Sequence, residues 1–145
     1  MTLHLVKLCV GIDDVGELAA WQKKRLADQR AAGVKRPYLR HVTRNTPRLA
    51  DRILDGGSLY WVIKGVIRCR QRITAINRLE QPGGVPKCEL RLGRQLVRTI
   101  PQPCRPFQGW RYLEPAKAPA DLAQSGVDPE MPEKLAEELR ALGLL

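Results

Sequence analysis

Serine and histidine are scarce in this chain, with two of each: Ser58, Ser125, His4 and His41. Neither serine sits in a Gly-x-Ser-x-Gly elbow, and no glycine-rich nucleotide loop follows a predicted strand, so the common hydrolase, dinucleotide and P-loop patterns are absent. The four cysteines (Cys9, Cys69, Cys88, Cys104) include no Cys-x-x-Cys pair, which predicts reduced, buried thiols and no zinc site. No catalytic residue, metal or cofactor is expected. No run of 18 apolar residues occurs, so no membrane-spanning helix is predicted. The opening MTLHLVKLCVGIDD lacks a basic segment ahead of its apolar part and reads as a first strand and not as a signal peptide, which places the protein in the cytoplasm.

Acidic residues are also scarce, and unevenly so. The 145 residues carry a net charge of +10, yet between Gln22 and Tyr112 there are 21 Lys and Arg against 5 acids, while the two ends together are negative. All seven aromatics fall between Trp21 and Tyr112. A chain of this length holds one domain, and a strongly basic small domain most often meets nucleic acid.

Residues Thr2 to Val10 read as a central strand, apolar on both faces. Asp13 or Asp14 then caps a helix with Glu17 completing a capping box, and Val15, Leu18, Ala19, Gln22 and Leu26 share one face to about Gln29. Tyr38 to Thr43 forms a short strand. Thr46-Pro47 is a helix start, with Leu49, Ala50, Ile53 and Leu54 as its apolar stripe and Gly56-Gly57 as its stop. Ser58 to Ile76 is β-rich, with Gly65 as a bulge or bend that splits it. Gln81 to Pro86 is a loop; Cys88 to Leu92 and Gln95 to Ile100 are expected to pair as a hairpin, and Pro101, Pro103 and Pro106 to make an extended edge.

The domain is therefore predicted over 1–113, a Pro/Ala-rich linker over 114–131, and a C-terminal amphipathic helix over 132–145 with Leu135, Leu139 and Leu142 on one stripe.

Three groups of residues suggest binding chemistry. Arg68, Arg70 and Arg72 alternate along a strand, so their guanidinium groups form one row, with Lys64 nearby, spaced for successive phosphates, while Ile67, Cys69 and Ile73 point inward. Arg44 and Asn45 precede a predicted helix start, where an anion could be held. Trp110 and Arg111, beside Gly109, offer a stacking plane next to a cation. Tyr60 and Trp61 point to opposite faces, one to the core and the other outward. Asp13-Asp14 is explained by helix capping, and Cys–His catalysis would need the fold to bring His4 or His41 to a thiol.

The phrases HVTRNTPRLADRILDGGSLYWVIKGVIRCRQRI and PFQGWRYL, with LHLVKLCVG and AAWQ, resemble a bacterial family known only as a domain of unknown function. More loosely, the layout is similar to the PUA-like group of EVE and ASCH domains. That likeness implies a small pseudobarrel binding RNA or modified bases in a cleft between barrel and helices.

The fold class expected is α+β: a small, mostly antiparallel, PUA-like β-barrel with two or three packed helices and the C-terminal amphipathic helix. The function expected is non-catalytic RNA binding, through Lys64, Arg68, Arg70 and Arg72 on phosphates and Arg44, Asn45, Trp110 and Arg111 at a base or anion pocket. Two other readings stand beside it: an adaptor docking on a ribonucleoprotein through the C-terminal helix, and an enzyme acting on a nucleotide or modified base.

Overall fold

Burial of the neighbouring Leu5 and Val6 covers both faces of the first strand, His4–Leu8 (β1), in the computed structural model of the protein, which describes residues 1–124. Asp14 caps the helix Val15–Ala31 (α1) by accepting from the Glu17 amide at 2.7 Å, and Glu17 accepts at 3.2 Å from the amide of Asp13, one residue before the cap, a variant of the expected capping box. There follow the strand Leu39–Thr43 (β2), the short helix Ala50–Leu54 (α2), and the strands Ser58–Ile63 (β3), Val66–Leu79 (β4), Lys87–Leu92 (β5), Val97–Pro103 (β6) and Trp110–Leu113 (β7). Pro115–Lys117 and Leu122–Gln124 are single 3-10 turns. No helix among the described residues is long and apolar enough to cross a membrane.

The strands form one open mixed sheet, ordered β2-β5-β4-β3-β1-β7, with β6 on β4 beside this path. The expected barrel does not form. A barrel needs its end strands to meet, but β2 and β7 each pair with one neighbour among the described residues. The sheet is not purely antiparallel either: the connection through α1, β2 and α2 brings β3 back parallel to β1. The described residues hold two α-helices, and the predicted C-terminal helix lies outside them.

The hairpin expected between residues 88–92 and 95–100 is replaced by another arrangement. β5 and β6 follow one another along the same long strand, β5 opposite Ile73 to Leu79 and β6 opposite Val66 to Arg70. Gly93 between them donates its amide to Arg72 O at 2.9 Å, so the connection is tied to β4 and cannot fold back on itself. The helix start also moves. Thr46 bonds the Cys88 side chain instead of capping, Pro47 is buried ahead of the helix, and α2 begins after Leu49 with no side-chain cap.

Lys64 and Gly65 join β3 to β4 as a two-residue turn with both φ angles positive, 50° and 77°, the left-handed pair that matches strand twist. Beyond it, Trp61 faces Cys69 and Val62 faces Ile67, so Arg68 is an extra residue in β4, a bulge. This reverses the expected side of Ile67. Cys69 and Ile73 point toward α1 with Leu5, Leu59 and Trp61, whereas Ile67 joins Val6, Tyr60 and Val62 on the opposite face. That second face is covered by Cys104, Phe107, Leu113 and Ala118, which is why Tyr60 and Trp61 are both buried, contrary to expectation. Composition changes at residue 114, but packing does not: Leu122 is buried, Ile100 donates to Ala120 O at 2.9 Å, and Asp121 receives Arg70 through two hydrogen bonds of 2.7 Å.

α1 is polar for a packed helix, burying Val15, Leu18 and Gln22. Amide pairing makes up the difference. Gln22 and Gln71 exchange hydrogen bonds at 2.8 and 2.9 Å, Trp61 Nε1 donates to Gln71 Oε1 at 2.9 Å, and Gln71 Nε2 also reaches Gly93 O at 3.0 Å. Two turns along, Gln29 exchanges hydrogen bonds with the Tyr38 backbone at 2.9 and 3.0 Å. At the β2-β5-β4 corner the buried Glu89 accepts from Arg40, Asn77 and Arg91 at 2.9, 3.1 and 3.1 Å. Burial alone would raise its pKa, but these three donors outweigh burial and hold it at about 2.

Replacing Gln71 by Leu strands the Trp61 indole N–H, the Gln22 amide and a backbone carbonyl, so unfolding should cost about 2–4 kcal/mol less by denaturant titration, with the slope unchanged. Gln22→Leu, which loses only the reciprocal pair, should cost less than Gln71→Leu.

Glu89 has a folded pKa below its ordinary 4.5, so its ionised form favours the native state above that pH, and the benefit fades as pH falls toward 2. The stability difference between the native protein and Glu89→Gln should be flat above about pH 5. It should shrink by on the order of 2–3 kcal/mol on the way down to pH 2. A difference that is constant over this acid range would show the carboxylate network to be neutral in stability.

Candidate functional site

The sequence-predicted binding residues are dispersed. Lys64 lies in the β3–β4 turn, exposed and 3.4 Å from Asp13. Arg68 occupies the bulge and is half-buried. Arg70 is a structural residue: its bidentate contact with Asp121, joined by a hydrogen bond to Ser58 Oγ at 3.0 Å, raises its already high pKa. Arg72 is exposed, and among the described residues no carboxylate pairs with it. The bulge and the Asp121 pair thus reduce the predicted row to one open cation. Arg44 and Asn45 are exposed but do not directly precede a helix, which starts only at Ala50; Asn45 O accepts from Trp110 Nε1 at 2.8 Å. Trp110 packs edge-on against Tyr112 and onto the α1-side core, and Arg111 lies over the Phe107 ring at 4.8 Å on the other face. Asn45 and Trp110 therefore meet, but in a structural contact.

Arg72 lines a cleft of about 480 Å³ with Arg70, Thr74, Arg94 and Gln95. The exposed Arg94 also borders a smaller groove, of about 240 Å³, with the exposed Lys23 and with Gln22, Leu26 and Leu39. Gln22 and Leu39 in turn line a cavity of about 420 Å³ beneath the first half of α1. Neighbouring depressions thus share lining residues, Arg94 for the first two and the buried Gln22 and Leu39 for the second and the cavity, and the cations Arg72, Arg94 and Lys23 belong to the first two.

The cavity was not foreseen from sequence. It opens where β1 ends and runs into α1, beside the parallel strand β3, and the carboxyl ends of parallel strands are where open sheets with helical crossovers bind ligands. Trp61 and Leu18 line it from the core, Trp21 from the helix, Lys7 and His41 from the strands, and Cys9 from just beyond β1. The Trp21 ring is half exposed and carries the Arg25 guanidinium 5.4 Å from its centroid. His41 meets Trp61 edge-on at 5.2 Å, and its Nε2 atom is buried without a hydrogen-bond partner. Burial, with the nearby Lys7 charge second, lowers the His41 pKa to about 4, so the ring is neutral at physiological pH. Lys7 is itself lowered by burial.

His41 and Cys9 do come to one cavity, as Cys–His chemistry would need. The thiol is not prepared for it: burial, then the charge of Glu17, raises Cys9 to about 11, so it stays protonated and weakly nucleophilic. Among the described residues no group of three or more metal-ligating side chains gathers, and none of the four cysteines forms a disulfide. What the arrangement can do is hold a flat, partly apolar group against indole rings beside one unsatisfied imidazole nitrogen.

No curated protein and no solved structure matches the chain, so neither fold nor site can be read across from a named relative. The sequence phrases around the two glycines after α2 and along β3 and β4 find their counterpart elsewhere: over residues 5–145 the chain belongs to the family described as Protein of unknown function (DUF1489).

Proposed function

We propose that the protein binds single-stranded RNA without catalysis, the sugar–phosphate backbone following the cationic line from Arg72 through Arg94 and Lys23 to the mouth of the cavity under α1. The observation that carries this reading is that the three depressions share lining residues in turn and are lined by cations with few acids: among the described residues, Asp and Glu contribute only Glu17 to their walls. Exposed guanidinium and ammonium groups along a groove attract a polyanion, and phosphate neutralisation releases counterions. The excess of 21 basic over 5 acidic residues between Gln22 and Tyr112 supports the same partner. Arg70 takes no part, because Asp121 already occupies its fork.

Binding of a labelled single-stranded oligouridylate should fall steeply with salt. The double change Arg72→Gln with Lys23→Gln should flatten the plot of log affinity against log salt by about 1.4, since each phosphate contact on a single strand contributes about 0.7. Folding should survive, as exposed substitutions usually alter stability by less than about 0.5 kcal/mol each. Arg70→Gln should do the reverse, lowering stability by about 1–3 kcal/mol through the broken Asp121 pair while leaving the salt slope in place. No binding at low salt, or an unchanged slope in the folded double variant, would reject this function.

A further inference from the structure

We infer that the cavity under α1 receives one unstacked base of the bound RNA, lying against the Trp21 and Trp61 indoles with His41 Nε2 hydrogen-bonded to the edge of the base. This rests on the RNA-binding reading and adds to it the place and chemistry of base recognition.

The cavity itself selects the occupant. Its volume of about 420 Å³ falls within the usual range for small-molecule sites, roughly 300–1,000 Å³. Its wall is mainly apolar and aromatic, which disfavours a polyhydroxylated sugar needing many polar partners. A pure hydrocarbon is disfavoured for the opposite reason: His41 Nε2 is buried with no partner, and a ligand without a donor or acceptor would leave it so. A heteroaromatic base has both requirements, a face for stacking and a polar edge. Because burial keeps His41 neutral, the nitrogen recognises that edge by hydrogen bonding and not by charge.

The two indoles contribute differently. Trp61 is held in place, its N–H bound to Gln71 and its ring closed in by His41, so it offers a fixed wall. Trp21 stands half-exposed at the rim, with Arg25 near its ring and Lys7 also lining the cavity. A base entering here meets the rim indole first, while its phosphates remain on the cationic side. The groove that carries Lys23 and Arg94 shares Gln22 and Leu39 with this cavity, which puts the cations on the side from which a strand would bring its base.

The test compares a single-stranded oligouridylate with an abasic ribose-phosphate oligomer of the same length, using the full chain, and adds the four nucleoside 5′-monophosphates with ribose 5-phosphate as a base-free control. The expected result is that nucleotides quench tryptophan emission, that ribose 5-phosphate does not, and that Trp21→Ala abolishes most of the quenching. Trp21→Ala should also weaken oligouridylate binding by about 5- to 150-fold, the stacking contribution of one base, while abasic binding stays unchanged. His41→Phe, which keeps a ring against Trp61, should narrow the spread of affinities among the four nucleotides. Equal binding of the base-carrying and abasic oligomers, or equal weakening of both by Trp21→Ala, would overturn the base site while leaving RNA binding in place. Failure of both oligomers to bind at low salt would instead reject the RNA reading, and nucleotide quenching would then decide the cavity by itself: Trp21-dependent quenching upholds a base site, and its absence removes it.

Discussion

The Gln71 side-chain amide is the contact on which the remainder of the molecule turns. Its oxygen accepts from Trp61 and Gln22 and its nitrogen donates to Gln22 and Gly93, so one buried group joins α1, β3, β4 and the β5–β6 connection. An amide in a dry site is held strongly only when all its capacity is used, and here both donors and both acceptor directions are taken. α1 has too few apolar residues to be placed by hydrophobic burial alone, and Gln22 and Gln29, two turns apart on one face, supply its register. The same amide orients the Trp61 indole that forms a wall of the cavity. Docking of the helix and shaping of the cavity are thus one event.

The bulge at Arg68 has comparable reach. An extra residue in β4 exchanges the faces on either side of it, sending Ile67 to one cluster and Cys69 to the other. The sheet is buried on both faces in consequence, α1 covering one and the segment from Cys104 to Ala118 the other. Arg70 and Asp121 then fasten the chain beyond β7 onto β4. A charge that looks like part of a binding surface in the sequence is a clamp in the structure, while its neighbour Arg72, two residues on and beyond the reach of Asp121, stays open.

Electrostatics divides the surface by task. Glu89 collects Arg40 and Arg91 at a structural corner. Lys23, Arg94 and Arg72 line the connected grooves. Inside the cavity, burial moves three groups toward their uncharged forms: His41 and Lys7 downward, Cys9 upward. A cationic approach to a mainly apolar, aromatic interior is an arrangement suited to attracting a polyanion and then sorting its uncharged parts.

Much of the local structure was legible in the sequence. The first strand, the capping box of Asp14 and Glu17, the buried face carrying Val15, Leu18 and Gln22, the split of the β-rich run near Gly65 and the family likeness all followed from side-chain periodicity, capping chemistry, turn residues or long shared phrases, which act over a few residues and survive in one dimension. What needed three dimensions was every choice between partners of equal local merit. β5 and β6 each could have paired with the other, and β4 took both; Arg68, Arg70 and Arg72 had one spacing and received three environments; Cys9, Trp21, His41 and Trp61 lie far apart in the chain and form one cavity. Such choices depend on long-range contacts, on where a bulge reverses a strand and on which carboxylate arrives from a distant segment, and none of these leaves a mark on the residues nearby.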